Sequence, residues 1–231
     1  MGILDIFFPK KCVSCRKMGE YLCAACFAQI SFETPSKCLI CDMPCIDSRT
    51  HPKCHGLYTI DGYVASVAYK RVMKKMLYQF KYQPFLVDLK TTLSDLMYEN
   101  LIQSELFTNL LKEDPILIPI PLSSSKMRKR GYNQSEILAK ELGKKIGLNV
   151  VNLLKRAKNT KPQYGLKREE RLENMKGAFE VNLKLKNQKS KFECAFLVDD
   201  VVTTGSTLRE AAKVLKKNGF EKVWGLVLAQ D

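Results

Sequence analysis

The stretch that most narrows what this chain can be is Phe196 to Thr207, Phe-Leu-Val-Asp-Asp-Val-Val-Thr-Thr-Gly-Ser-Thr. Cys194 to Val198 is too short for a helix and rich in residues that favour a buried strand, whereas Leu208, Ala211, Ala212 and Leu215 recur at helical spacing. The order is therefore strand, loop, helix. In an open α/β sheet, ligands collect beyond the carboxyl ends of the strands, and a helix N-terminus turns unpaired N–H groups toward an anion. The loop reads as a phosphate cradle. Thr203, Thr204, Ser206 and Thr207 add hydroxyl donors, and Gly205 lets the backbone approach closely or take a positive φ. Asp199 and Asp200 would repel that phosphate, so they are expected to accept hydrogen bonds, and the vicinal hydroxyls of a ribose fit. With Val201 and Val202 between acids and hydroxyls, residues 199–207 form the expected binding stretch for a ribose 5-phosphate.

This pattern resembles the phosphoribosyl pyrophosphate (PRPP) motif of type I phosphoribosyltransferases, with hydrophobic residues before the acidic pair and Thr-Thr-Gly-Ser-Thr after it. The resemblance implies an α/β fold with a mostly parallel sheet flanked by helices, and PRPP bound together with magnesium. An Asp-capped turn is the plain alternative, but it does not call for two acids, a hydroxyl-rich loop and the correct flanking elements at once. No Walker A sequence and no Gly-x-Gly-x-x-Gly occurs in the chain, so ATPase and dinucleotide readings lose support.

The N-terminal part is of another kind. Eight of the nine cysteines lie between residues 12 and 54, in Cys12-x-x-Cys15, Cys23-x-x-Cys26 and Cys38-x-x-Cys41, then Cys45 and Cys54. Two thiolates three positions apart reach one tetrahedral ion, so the knuckles point to zinc. Cys12, Cys15, Cys23 and Cys26 complete one set. For a second set Cys38 and Cys41 need two more ligands, and His51-Pro-Lys-Cys54 repeats the knuckle spacing, giving Cys38, Cys41, His51 and Cys54. Cys45 competes for a place, an interleaved pairing of the first and third knuckles satisfies the same spacing, and a single ion remains an option. Four protein ligands leave no open position for water, so the zinc is expected to be structural. Residues 1–8 carry only a brief apolar run, too short for a secretory leader, so a cytoplasmic location with reduced thiols is expected. Nothing has the length of a membrane span.

After Gly56 the cysteines stop, placing a domain boundary between a zinc-ribbon-like module, residues 1–56, and an α/β domain, residues 57–231. Strands are predicted over Tyr63–Tyr69, Ile116–Ile120, Val150–Leu154, Phe179–Val181 and Val223–Ala229, with helices through Val72–Phe80, Leu86–Met97 and Ile137–Ile146. The formal net charge is +14, and Lys126 to Lys176 holds 15 basic against 5 acidic residues, which favours a polyanion or a pyrophosphate-bearing ligand. Within it, Lys126 to Gln134 is expected as a basic loop in which Arg128, Arg130 and Gly131 hold a pyrophosphate. Residues 155–176 read as a polar, weakly patterned segment able to close over a ligand or to meet nucleic acid. It carries Thr160, Gln163, Tyr164, Arg168, Arg171 and Asn174.

Taken together, the knuckles, Arg130-Gly131-Tyr132-Asn133-Gln134, Thr160-x-x-Gln163 with Arg171, Asn174 and Gly177-Ala178-Phe179, and the Asp199-Asp200 loop resemble the ComF family of bacterial competence proteins. His51 stands where that family usually has Cys. The resemblance implies a phosphoribosyltransferase-fold protein working inside the cell when transforming DNA enters as a single strand, with a DNA helicase, ComFA, as partner. It leaves catalysis open, and so do the residues: the PRPP half of the site is complete, while the acceptor half carries no acid or base. A magnesium-dependent phosphoribosyltransferase and a zinc-dependent binder of single-stranded DNA with a relic pocket are the alternatives. Oligomeric state is not legible.

Overall fold

A computed structural model of the chain describes residues 9–82, 86–158, 160, 165–182 and 192–231. At its centre lies a four-stranded parallel sheet in the order β1 (Gly62–Ala68), β6 (Lys222–Gln230), β5 (Cys194–Val202), β2 (Ile116–Pro119). The strands are nearly continuous apolar runs because both faces of a parallel sheet are covered. Side chains alternate between the faces, so Phe196 and Val198 of β5 enter one core, and Ala195 and Leu197 the other.

On the first face lie α2 (Arg71–Lys81), α3 (Leu89–Leu101), α4 (Glu105–Leu111) and α6 (Gln134–Ile146), which bury Phe80, Leu93, Phe107 and Leu138 beside Phe196 and Leu226. On the second lies α8 (Ser206–Lys217), whose Leu208, Ala211, Ala212 and Leu215 pack on Leu197 and Val227. An antiparallel pair, β3 (Leu154–Arg156) and β4 (Phe179–Val181), and α7 (Arg168–Met175) complete that side. The α/β layering matches the sequence expectation. β2 and β5 are neighbours, yet the helices that follow them go to opposite faces. The crevice beyond their carboxyl ends is thus the switch point at which open α/β sheets hold ligands.

The cysteine-rich segment is woven into this body. Cys12, Val13, Cys23, Ile30 and Cys26, the last on the short helix α1 (Ala24–Phe27), join the first core, and Leu39 joins the second. Its onward chain follows the outer edge of β1. Ala68 N donates to Ser31 O at 2.9 Å, Thr34 Oγ1 to Ala65 O at 3.4 Å, and Arg49 pairs with Gly62 in an antiparallel bridge.

Several local expectations are corrected. The basic stretch is not an open loop: Ser123 Oγ accepts from Lys126 N at 3.5 Å, Gly131 takes φ 81° at the far end, and between them α5 (Ser124–Arg130) forms. The strand expected at Val150–Leu154 shrinks to one bridge, Val150 with Leu117, because the pairing partner β4 selects Leu154–Arg156 instead. The polar segment is partly helical, with Lys167 N donating to Glu170 Oε2 at 2.7 Å at the start of α7. Gln163, Tyr164, residues 1–8 and residues 183–191 lie outside the described residues. Among the described residues, no helix is long and apolar enough to cross a membrane.

Candidate functional site

The crevice is built from β5, the loop behind it, and the ends of α2 and α6. Gly205 caps α8 with φ 70°, a backbone that L side chains rarely adopt, and no acid stands in the first turn of the helix. The free N–H groups and positive dipole end of α8 are therefore unopposed by a neighbouring side chain of its own. Thr204 Oγ1 donates to Ser206 Oγ at 3.2 Å and accepts from Ser206 N at 3.4 Å, a compact hydroxyl turn beside Thr203 and Thr207. Arg171 Nη1 donates to Thr203 Oγ1 at 2.7 Å, fixing the loop from α7. Val201 and Val202 belong to β5 itself, paired with Ala229 and Gln230, and contribute strand backbone rather than side-chain chemistry.

The two acids have different surroundings. Asp199 is a half-buried residue whose Oδ1 accepts from Ser135 Oγ and from Asp200 N, each at 2.9 Å. Desolvation at this spot, and next the charge of Asp200, push it up to about 7. Asp200 is 5% exposed; its Oδ1 pairs with Lys81 Nζ at 2.8 Å, while Oδ2 is buried with no hydrogen-bond partner. A carboxylate oxygen enclosed without a partner leaves one accepting position unsatisfied beside Asp199. Lys126 feels the charge of Asp200 and Arg156 that of Asp199, so with Lys81 three cations act on the pair.

The basic element differs from expectation in detail. Arg128 is exposed on the last turn of α5, and Arg130 is half-buried, hydrogen-bonded to the Gln134 side chain and stacked on Tyr82 with its guanidinium 5.6 Å from the ring centroid. Gly131 N donates to Met127 O at 2.8 Å, closing α5 with a left-handed residue. Sequence reading missed Lys81 and Ser135. Lys81 is one of three lysines on an ordinary amphipathic helix, with no local signal. Ser135 had one, because it follows Asn133, whose Oδ1 accepts from Ser135 N at 3.2 Å and whose Nδ2 donates to Ile120 O at 3.0 Å, tying α6 to the end of β2.

Both cysteine sets assemble in chain order. The ligand atoms of Cys12, Cys15, Cys23 and Cys26 lie within 4.8 Å of one another, as do those of Cys38, Cys41, His51 and Cys54. Cys45 belongs to neither group and the knuckles are not interleaved. Against the burial that would raise it, backbone N–H groups of Cys15, Cys23 and Ser14 draw the Cys12 thiol down to about 6. N–H groups of Cys41, His51 and Ile40 do the same for Cys38, to about 7. Burial, and next the neighbouring cysteines, push Cys26 up to about 12 and Cys54 to about 11, so amides turned toward sulfur favour the thiolate, the form that binds metal, at the first cysteine of each set. His51 offers Nδ1, 3.3 Å from Cys41 Sγ, while Nε2 meets Pro44 O at 3.1 Å, an outer contact that would set the ring's orientation and tautomer. The residues fit two structural zinc ions.

Comparison with known proteins agrees with both halves. A double zinc ribbon domain model matches residues 3–55, and a phosphoribosyl transferase domain model matches residues 128–231. The chain is 33% identical to Competence protein F of Haemophilus influenzae, over 96% of this chain and 99% of that protein. The chain belongs to the ComF family of competence proteins. Other ComF-type relatives include Competence protein ComFC of Bacillus subtilis, 27% identical over 91% of this chain and 79% of that protein. DNA utilization protein YhgH of Escherichia coli strain K12 is 26% identical over 94% and 96%.

Proposed function

We propose that this ComF chain binds PRPP, carried with magnesium, in the crevice between β2 and β5, and serves DNA uptake as a cytoplasmic accessory protein that handles the incoming single strand beside a ComFA-type DNA helicase. One observation carries the PRPP reading: an acid-free helix N-terminus behind Gly205 adjoins a carboxylate pair on which Lys81, Lys126 and Arg156 act. The 5-phosphate would rest on the start of α8 and the hydroxyls of Thr203, Thr204, Ser206 and Thr207. The ribose hydroxyls would meet the carboxylates of Asp199 and Asp200. The pyrophosphate would lie toward Arg128, Arg130 and the turn at Gly131, with Lys81 and Lys126 behind it. Magnesium, when bound, screens the charge of the pyrophosphate. Zinc at the two cysteine sets holds the ribbon in its fold.

The DNA side is supported by the names of the relatives, competence and DNA utilization proteins, and by the basic surplus of residues 126–176. Calorimetric titration with PRPP and magnesium tests the first half: the intact protein should bind, and the Asp199→Asn, Asp200→Asn double variant should lose about tenfold or more of the affinity. Equal affinity in the two proteins would refute the site. For the second half, anisotropy of a labelled oligonucleotide should show affinity falling steeply between about 50 and 200 mM salt. A flat salt response would refute strand handling through this basic surface.

A further inference from the structure

The second cysteine set does not stand clear of the phosphate loop. Leu39, between Cys38 and Cys41, is 2% exposed, and its side chain fills the space beside Gly205: a β-carbon there would lie 2.7 Å from Leu39 Cδ2. The Leu39 carbonyl accepts from Arg168 Nη2 at 3.1 Å, and Arg168 Nη1 lies 3.3 Å from the carboxylate of Asp42, next after Cys41. Arg171, on the same helix, donates to Thr203. Helix α7 thus grips the knuckle with one arginine and the loop with another. Arg209, in the first turns of α8, has its Nη1 buried without a hydrogen-bond partner.

Resting on the PRPP reading of the loop, we propose that the second zinc set is a working part of the PRPP seat, so that zinc occupancy at Cys38, Cys41, His51 and Cys54 and PRPP binding strengthen each other. The ion fixes the turn at 38–42, and Leu39 and Arg168 pass its position to residues 203–205. These two are positioning residues that act through the loop. A close-packed contact has no slack to absorb a shift on one side alone. Coupling of this kind is reciprocal: the factor by which zinc raises PRPP affinity is the factor by which PRPP raises zinc affinity.

The test uses the full zinc-loaded chain, with zinc content, PRPP calorimetry and amide hydrogen exchange read together. PRPP with magnesium should slow exchange at 38–42 as well as at 203–209. Leu39→Ala, and Arg168→Ala, which leaves the core intact, should each keep both ions yet bind PRPP about five- to twentyfold more weakly, and the slowing at 38–42 should vanish. If Leu39→Ala does not fold, Arg168→Ala decides. Protection confined to the loop, with normal PRPP affinity in the variants, would overturn the coupling and leave the PRPP reading in place. An intact, zinc-loaded protein that binds no PRPP would overturn both.

Discussion

Asp199 and Asp200 are adjacent in the chain, yet each answers to a different neighbour, and substitutions should separate them. Asp199 has its carboxyl raised to about 7 from an ordinary 3.8. Between those values the folded state holds a proton that the unfolded state has released, so its contribution to stability falls as pH rises through that window and is lost above about 7. Asp199→Asn should therefore gain stability relative to the parent as pH rises from about 4 to about 7, measured as the gap between urea midpoints; a gap that stays constant with pH would refute this. Asp200 depends on Lys81 instead, with side chains 7% and 17% exposed. Lys81→Met removes the direct ion-pair partner of a buried carboxylate and should cost about 3–5 kcal/mol. Adding Asp200→Asn should restore most of it in a double-mutant cycle.

Among the elements, the loop that opens α8 has the least room for change. Gly205 combines φ 70° with a close approach of Leu39, so Gly205→Ala meets both a left-handed backbone cost and an overpacked contact. Chemical denaturation should show a loss of about 2–4 kcal/mol. This loop, the acid pair and the two cysteine sets were legible in the sequence because their residues are close along the chain and chemically distinctive. So were β1, β2, β5, β6 and helices α2, α3, α6 and α8, each of which buries a regular stripe. What escaped was set by other forces. Helices α4 and α5 are short and rest on serine caps, Ser104 Oγ accepting from Phe107 N and Ser123 Oγ from Lys126 N, rather than on periodicity. The strand at Leu154–Arg156 exists because β4 pairs with it. Lys81 and Ser135 reach the acids only through tertiary packing, which no local pattern records.

Across the whole molecule, the ribbon and the α/β body share two cores rather than a linker. Cys12, Cys23 and Cys26 sit among the side chains that also bury Phe80 and Phe196, and Leu39 sits with Leu208 and Val227. Stripping zinc with a chelator should therefore lower the melting temperature of the entire chain by more than about 10 °C in one cooperative transition. A surviving α/β transition at the original temperature would show that the two parts fold apart. The path of residues 31–49 along β1 has a consequence of its own. That segment shields the row of amides and carbonyls on the sheet's outer rim, and a rim stripped of its cover invites strands from other copies to dock there. A cell short of metal would then face self-association of this protein.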